Sequence, residues 1–420
     1  MKKIVFKYIP NHVSFLHHML LKTKLDFKMP QLNNKFWMQN ISICFIMLLL
    51  LNSEINAQII LGSARIDAYK PLLKNKKIGL VVNQSSLINN AHLIDTLKSL
   101  KVNITTLFSP EHGLRGNYSA GEKIKSGMDE KTGLPIISLY GNNKKPSAEQ
   151  LKNVDIIIFD LQDVGARFYT YISTLHYVME ALAETNKTLI VLDKPNPNGD
   201  IIDGPVLDTN FHSFVGMHPI PILHGMTMGE YAQMINGESW LKHKLKCKLI
   251  VIPMKNYTHK TVYMPPIFPS PNLRTYAAIR LYASLCFFEG TEISLGRGTD
   301  KPFECIGLPN SSIGNYEFTP KSIPGVADNP PQKDKLCKGF LLSYEAKNIN
   351  KINLNWLIEF YKTSTDTAHF FNPFFDKLAG SNVLRKQIIS GLTAKEIEKS
   401  WQVDLEKFKA TRKKYVLYKD

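Results

Sequence analysis

Ser109-Pro110-Glu111-His112-Gly113 sets a carboxylate and an imidazole side by side, directly after an apolar stretch. Two more clusters share that character: Asp160-Leu161-Gln162-Asp163-Val164-Gly165-Ala166-Arg167 and Asp193-Lys194-Pro195-Asn196-Pro197. Asn83-Gln84-Ser85 and His224-Gly225, with Glu230 shortly after, complete the set. Paired carboxyl groups suit glycosidic cleavage: one, protonated, delivers its proton to the leaving oxygen, and a second group stabilises or attacks the oxocarbenium-like carbon. Glu111 is the candidate acid, because partial burial after an apolar strand and a proline would raise its pKa and keep the proton on near neutral pH. Asp160 and Asp163 are expected to act as a pair, one positioning the reacting sugar, the other holding Arg167 or His112. Two structural alternatives stand beside these roles. Glu111 can serve as a helix N-terminal carboxylate, and Asp163 can cap the following turn.

Other chemistries lack their motifs. There is no G-x-G-x-x-G after a strand, no phosphate-binding G-x-x-x-x-G-K-[ST], no G-x-S-x-G elbow and no H-E-x-x-H. His112, His224 and the neighbouring acids match no standard metal spacing, so neither a metal nor a cofactor is expected. A metal-dependent hydrolase of amide or ester bonds is kept as an alternative reading.

These residues need a scaffold that gathers them on one edge. Short β-branched runs at 77–83, 102–108, 154–160, 188–193, 220–223 and 247–253 read as buried strands. Helical patterns at 91–100, 171–185 and 228–235 lie between them. Continuous apolar strands separated by helices predict an α/β fold with a parallel, Rossmann-like sheet covered on both faces. Ligands in such sheets bind at the carboxyl ends of the strands, where every cluster above falls.

Beyond residue 254 the pattern changes. Pro265-Pro266, Pro269 and Pro271-Asn272 read as a hinge into a smaller C-terminal α/β domain. The predicted division is 1–57, 58–268 and 269–420, with the site in the cleft between the last two. Glu289-Gly290-Thr291-Glu292, Gly296-Arg297-Gly298-Thr299 and Pro302-Phe303-Glu304 place ionisable residues among glycines, as in a loop whose backbone approaches a ligand. Arg297, flanked by two glycines, is expected to reach a ligand, and Arg115 and Arg167 likewise fall inside glycine-containing motifs. The structural alternative is that Arg297 pairs with Glu289 or Glu304 and shapes the loop.

The formal net charge is +16, yet only eight of the 52 cations are Arg. Scattered Lys without basic–aromatic runs excludes a nucleic-acid reading. Hydrophobic residues at 44% and charged residues at 21% exclude a mainly disordered chain. Residues 41–51 are apolar except Ser42, too short a run for a membrane-spanning helix of ~20 residues and the right length for a secretory signal core. Residues 1–57 are therefore expected to be an export segment, with a true start at Met29 or Met38 as an alternative. The mature chain is expected outside the cytoplasm, periplasmic or secreted, with no stable membrane anchor. Cys247, Cys286 and Cys305 sit in apolar stretches and are expected to be buried free thiols.

The motifs resemble a known family, the exo-β-N-acetylmuramidases of the NamZ type, long catalogued as a domain of unknown function. The resemblance rests on S-P-E-H-G-L-R-G at 109–116, the T-G-L-P and S-L-Y-G segments at 132–141, and F-D-L-Q-D-V-G-A-R-F-Y-T-Y at 159–171. It continues through D-K-P-N-P at 193–197, H-G-M-T-M-G-E at 224–230, P-S-P-N-L at 269–273, E-G-T at 289–291, G-R-G-T at 296–299 and P-F-E at 302–304. Lys194, Glu292 and Leu295 depart from the family pattern. The resemblance implies release of N-acetylmuramic acid (MurNAc) from the non-reducing end of peptidoglycan-derived glycans such as MurNAc-GlcNAc. It implies Glu111 as the acid, and a site that selects MurNAc is expected to present a cation to the lactyl carboxylate, Arg297 first and Arg167 second. Asn83, Arg115, Arg167, Tyr169, His224, Glu230, Glu289, Arg297 and Glu304 are the substrate-binding candidates, with His112, Asp160 and Asp163 beside Glu111 in the catalytic set. A non-catalytic glycan-binding relative is the remaining alternative.

Overall fold

The computed structural model describes residues 58–111, 113–114 and 127–420. The expected export segment, His112 and Arg115 lie outside the described residues.

Seven strands form one sheet: β1 (Ile78–Val82), β2 (Ile104–Ser109), β3 (Gly127–Met128), β4 (Pro135–Ser138), β5 (Ile156–Asp160), β6 (Thr188–Leu192) and β7 (Lys248–Ile252). Their spatial order is β7-β6-β5-β1-β2-β4-β3, and every pairing is parallel except β3 with β4. The chain starts at the centre, moves to one side, then crosses back to build the other. The order reverses between β1 and β5, which pair directly.

The central strands β1 and β5 are buried along their whole length, and the alternation of the sheet's strands sorts apolar side chains into two cores. Ile78, Leu80, Val82, Ile156, Ile158, Ile190 and Leu192 join the core under α1 (Leu93–Ser99). Val81, Ile157, Phe159, Leu189 and Val191 join the core on the opposite face, with α2 (Tyr171–Glu184) and α3 (Met228–Gly237). Thr227 begins α3 with a reciprocal cap: its side chain accepts from the Glu230 backbone, and Glu230 accepts from the Thr227 backbone.

One expected strand of this sheet is absent from it. The apolar run at 220–223 predicts a member of the parallel set, but only Leu223–His224 is extended, paired antiparallel with Ile202–Asp203 in a separate ribbon. Pro219 and Pro221 explain this: two residues without N–H groups cannot join an interior ladder. Pro135–Ser138 takes a place beside β2 instead.

Residues 269–420 contribute α4 (Tyr276–Leu285), the antiparallel strands β8 (Cys305–Leu308), β9 (Tyr316–Phe318) and β10 (Cys337–Leu341), and then α5 (Asn355–Thr363), α6 (Phe374–Ala379), α7 (Val383–Ile389), α8 (Ala394–Ser400) and α9 (Gln402–Arg412). Phe287, Phe303, Leu357, Phe375, Leu378 and Trp401 belong to the same continuous core as α2 and α3. The proline-rich passage thus joins two regions that share one apolar interior. Cys247, Cys286, Cys305 and Cys337 are free and buried. No helix among the described residues is long and apolar enough to cross a membrane.

Candidate active site

A cavity of about 540 Å³ opens at the carboxyl ends of β2, β4 and β5. Glu111 follows β2, Tyr140 and Lys144 follow β4, and Phe168 to Tyr171 follow β5. The opposite wall comes from the second region, through Ser270, Leu273, Tyr282, Glu289, Arg297, Phe303 and Phe374. The cavity is therefore lined from both regions.

Glu111 is held from several directions. Thr170 Oγ1 donates to Glu111 Oε2 at 2.6 Å, and the Tyr140 hydroxyl is hydrogen-bonded to the same carboxyl group. Burial and the neighbouring Glu111 charge push the Tyr140 phenol up, so it stays protonated as a donor. Tyr171 Oη donates to the Glu111 backbone oxygen at 3.3 Å, and Asn83 Nδ2 donates to Tyr171 Oη at 2.8 Å. Asn83 is fully buried and does not line the cavity; it acts on Glu111 through Tyr171.

The walls are largely aromatic. Tyr169 meets Tyr171 edge-on with centroids 4.8 Å apart, and Tyr282 edge-on at 6.0 Å. Tyr169 Oη donates to Pro269 O at 2.7 Å, tying the β5 loop to the start of the second region. Flat apolar faces with a few fixed polar groups suit a ring-shaped ligand that carries hydroxyls.

Glu289 and Arg297 both line the cavity and are bonded to each other. Arg297 Nη2 lies 2.5 Å and Nε 3.2 Å from Glu289 Oε1, and the guanidinium sits 4.8 Å from the Phe303 ring centre. Arg297 therefore shapes the wall with its charge matched.

Other expected site residues are not brought to the cavity. Asp160 and Asp163 do not form a substrate-facing pair. Asp160 is fully buried with Lys194 Nζ 3.1 Å from Oδ1, and burial raises its carboxyl despite that cation. Asp163 Oδ2 accepts from the Gly165 backbone at 2.6 Å, which is the turn-capping alternative. Burial pushes the Asp163 carboxyl up to about 7. Arg167 does not reach the cavity either. Nη1 donates to Pro205 O and Ile220 O at 2.8 Å each, and Nη2 to Leu378 O at 2.9 Å and Ala379 O at 2.8 Å. A guanidinium so engaged, at the C-terminal end of α6, ties the two regions together.

His224 is buried, accepts from the Met226 backbone through Nδ1, and has Nε2 4.0 Å from Asp163 Oδ2. Glu230 is sealed in the cap of α3, where His259 Nε2 lies 2.9 Å from Oε2 and the Leu417 backbone donates to Oε1 at 2.7 Å. Glu304 accepts from Thr275 Oγ1 at 2.7 Å and Ser343 Oγ at 2.5 Å, behind the wall. Asp193 accepts from Thr227 Oγ1 at 2.7 Å, the Gly229 backbone at 2.8 Å and Tyr418 Oη at 2.6 Å.

Tyr140, Lys144, Thr170, Phe214 and Tyr282 are cavity residues that the sequence reading did not single out. Tyr140 and Thr170 stood within quoted motifs; nothing in the sequence marked Lys144 or Phe214. A second cavity of about 500 Å³ lies at the ends of β1, β5 and β6, where Ser85, Gln162, Lys194 and Tyr263 face it. Among the described residues, no group of three or more His, Cys, Asp or Glu is placed to hold a metal ion.

Two family models match in tandem: Exo-beta-N-acetylmuramidase NamZ, N-terminal, over residues 78–277, and its C-terminal counterpart over residues 280–418. The peptidoglycan beta-N-acetylmuramidase NamZ of Bacillus subtilis (strain 168) is 41% identical over 375 residues, 83% of this chain and 89% of that protein. A solved DUF1343 family protein from Bacteroides fragilis NCTC 9343 superposes with a TM-score of 0.81 at 48% identity, covering 87% of this chain and 100% of the other. A second DUF1343 family protein from the same strain gives 0.73 at 28% identity, covering 86% and 99%.

Proposed function

We propose, from the premise that this chain belongs to the exo-β-N-acetylmuramidase NamZ family, that it hydrolyses the bond linking a terminal MurNAc to the rest of a peptidoglycan-derived glycan. The observation that carries this reading is Glu111, held by Thr170 and Tyr140 at the floor of an aromatic cleft of about 540 Å³. Glu111 gives its proton to the glycosidic oxygen as the bond from that oxygen to the anomeric carbon breaks. The departing glycan leaves with that proton, water supplies the hydroxyl that the anomeric carbon gains, and the proton water releases returns the Glu111 carboxylate to its acid form. Thr170 and Tyr140 fix the carboxyl group so that it meets the oxygen without first reorganising.

The finer substrate in this proposal is MurNAc-GlcNAc. The chain reaches it outside the cytoplasm, in keeping with the apolar run at 41–51, and acts in cell-wall turnover. Incubating the protein with MurNAc-GlcNAc and identifying the products tests the reaction. Free MurNAc and GlcNAc in equal amounts, with no loss of rate in a chelator, are expected. Binding without cleavage would replace the enzyme by a glycan-binding relative. Fractionation of cells expressing the full chain tests the location.

A further inference from the structure

Lys144 and Lys145 are neighbours in the chain, but the fold uses them differently. Lys145 Nζ lies 2.7 Å from Glu180 Oε1 and 2.7 Å from Glu184 Oε1, both on α2, so its charge is matched. Lys144 Nζ stands 4.7 Å from the centre of the Phe214 ring and lines the cavity that holds Glu111. Among the described residues no carboxylate pairs with it. Arg297, the second cation among the described residues of the cavity wall, is already bonded to Glu289.

We propose that Lys144 binds the carboxylate of the 3-O-lactyl ether that distinguishes MurNAc from N-acetylglucosamine. The inference rests on the muramidase reading above and names the group that reads its substrate. An anionic ligand gains most from a cation that no protein carboxylate has neutralised. The Phe214 face attracts the ammonium without accepting a conventional hydrogen bond from it, which leaves N–H donors for a ligand.

The platform is firm. Asn143 Nδ2 donates to Ser138 O at 2.7 Å, and Lys145 clamps the following residue to α2, so the backbone at 144 is anchored on both sides. Ser173 Oγ donates to Phe214 O at 2.7 Å, and Tyr177 stacks near that ring at 19°. Tyr140 connects this corner to the acid: its ring centre is 6.1 Å from that of Phe214, and its hydroxyl bonds Glu111. On the sugar, only C2 separates the lactyl-bearing C3 from the anomeric carbon. The acid and the lactyl partner therefore belong in the same cavity, as Glu111 and Lys144 are.

The test measures calorimetric binding of free MurNAc and of N-acetylglucosamine to the wild-type protein and to Lys144→Met, Lys144→Gln, Lys144→Arg and Arg297→Gln. Thermal melting first identifies which variants fold; the Gln variant serves if the Met variant does not. The expected result is a wild-type preference for MurNAc that falls about ten- to hundredfold in Lys144→Met, the loss typical of a charge-assisted hydrogen bond. N-acetylglucosamine affinity stays unchanged, and Lys144→Arg keeps most of the preference. A preference retained in Lys144→Met, absent in the wild type, or lost selectively in Arg297→Gln overturns the proposal. Turnover of MurNAc-GlcNAc is scored separately. A protein that binds as expected but cleaves nothing sinks the muramidase reading and leaves the role of Lys144 standing.

Discussion

The Lys194 ammonium stands 3.1 Å from Asp160 Oδ1, and both side chains are almost wholly sealed from solvent at the carboxyl ends of β6 and β5. Lys194 also donates to Ser85 O at 2.8 Å, so it binds the ends of three parallel strands together. Removing one charge strands the other. Asp160→Asn is expected to destabilise the fold by about 3–5 kcal/mol, and an Asp160→Asn/Lys194→Met double variant to recover much of that. Urea unfolding decides it. A single variant of normal stability that loses kcat would move Asp160 into the chemistry.

Glu111→Gln should fold normally and lose about 10²–10⁴ of its turnover on an unactivated disaccharide. A chromogenic muramide with a good leaving group needs less protonation and should suffer less. Thr170→Val and Tyr140→Phe keep the carboxyl group but free its orientation, so smaller losses in kcat are expected. Equal losses on both substrates in Glu111→Gln would remove it from the acid role.

Arg167 predicts the opposite pattern. Its four bonds to carbonyls of both regions make Arg167→Met a stability variant, with a clear drop in Tm. The folded fraction should keep the KM of the wild type for muramyl substrates. A normal Tm with raised KM would return Arg167 to the substrate.

Stability should fall as acid is added, through the buried imidazoles. Burial pulls His176 down to about 4, His224 down to about 3, and His218 well below its ordinary value. Between about pH 6.5 and 4 the unfolded chain binds these protons and the folded chain does not, so stability drops as pH falls through that window. Asp163, raised to about 7, acts in the opposite sense: its contribution is full below about pH 3.8 and is lost as pH rises to 7. Urea midpoints between pH 4 and 8 check both signs. His176→Gln should flatten the acid limb, and Asp163→Asn should raise stability at pH 7 relative to pH 4.

The sheet was legible in the sequence because its strands are continuous apolar runs, and their ends mark the binding edge. The 220–223 assignment failed for a reason also written there, the prolines at 219 and 221. Which members of a polar strand end face the ligand was not legible. Asp163 turns inward because it caps the Gly165 backbone, where φ is +76°. Arg167, inside the same motif, turns to carbonyls about 210 residues later in the chain, a destination set by tertiary packing. In sequence Lys144 is indistinguishable from Lys145, and only the fold pairs Lys145 with Glu180 and Glu184.

The partners of Asp193 say how this chain must assemble. Its carboxylate, buried at the end of β6, is completed by Tyr418, a partner 225 residues away in sequence. Leu417 and Tyr418 bring backbone N–H groups to Glu230 in the cap of α3. Until that distant segment docks, two buried acids at the heart of the first region lack a ligand each. Loop closure over so long a span is slow. The first region is therefore expected to settle only once the C-terminal segment has docked, and the two regions to melt in a single calorimetric transition.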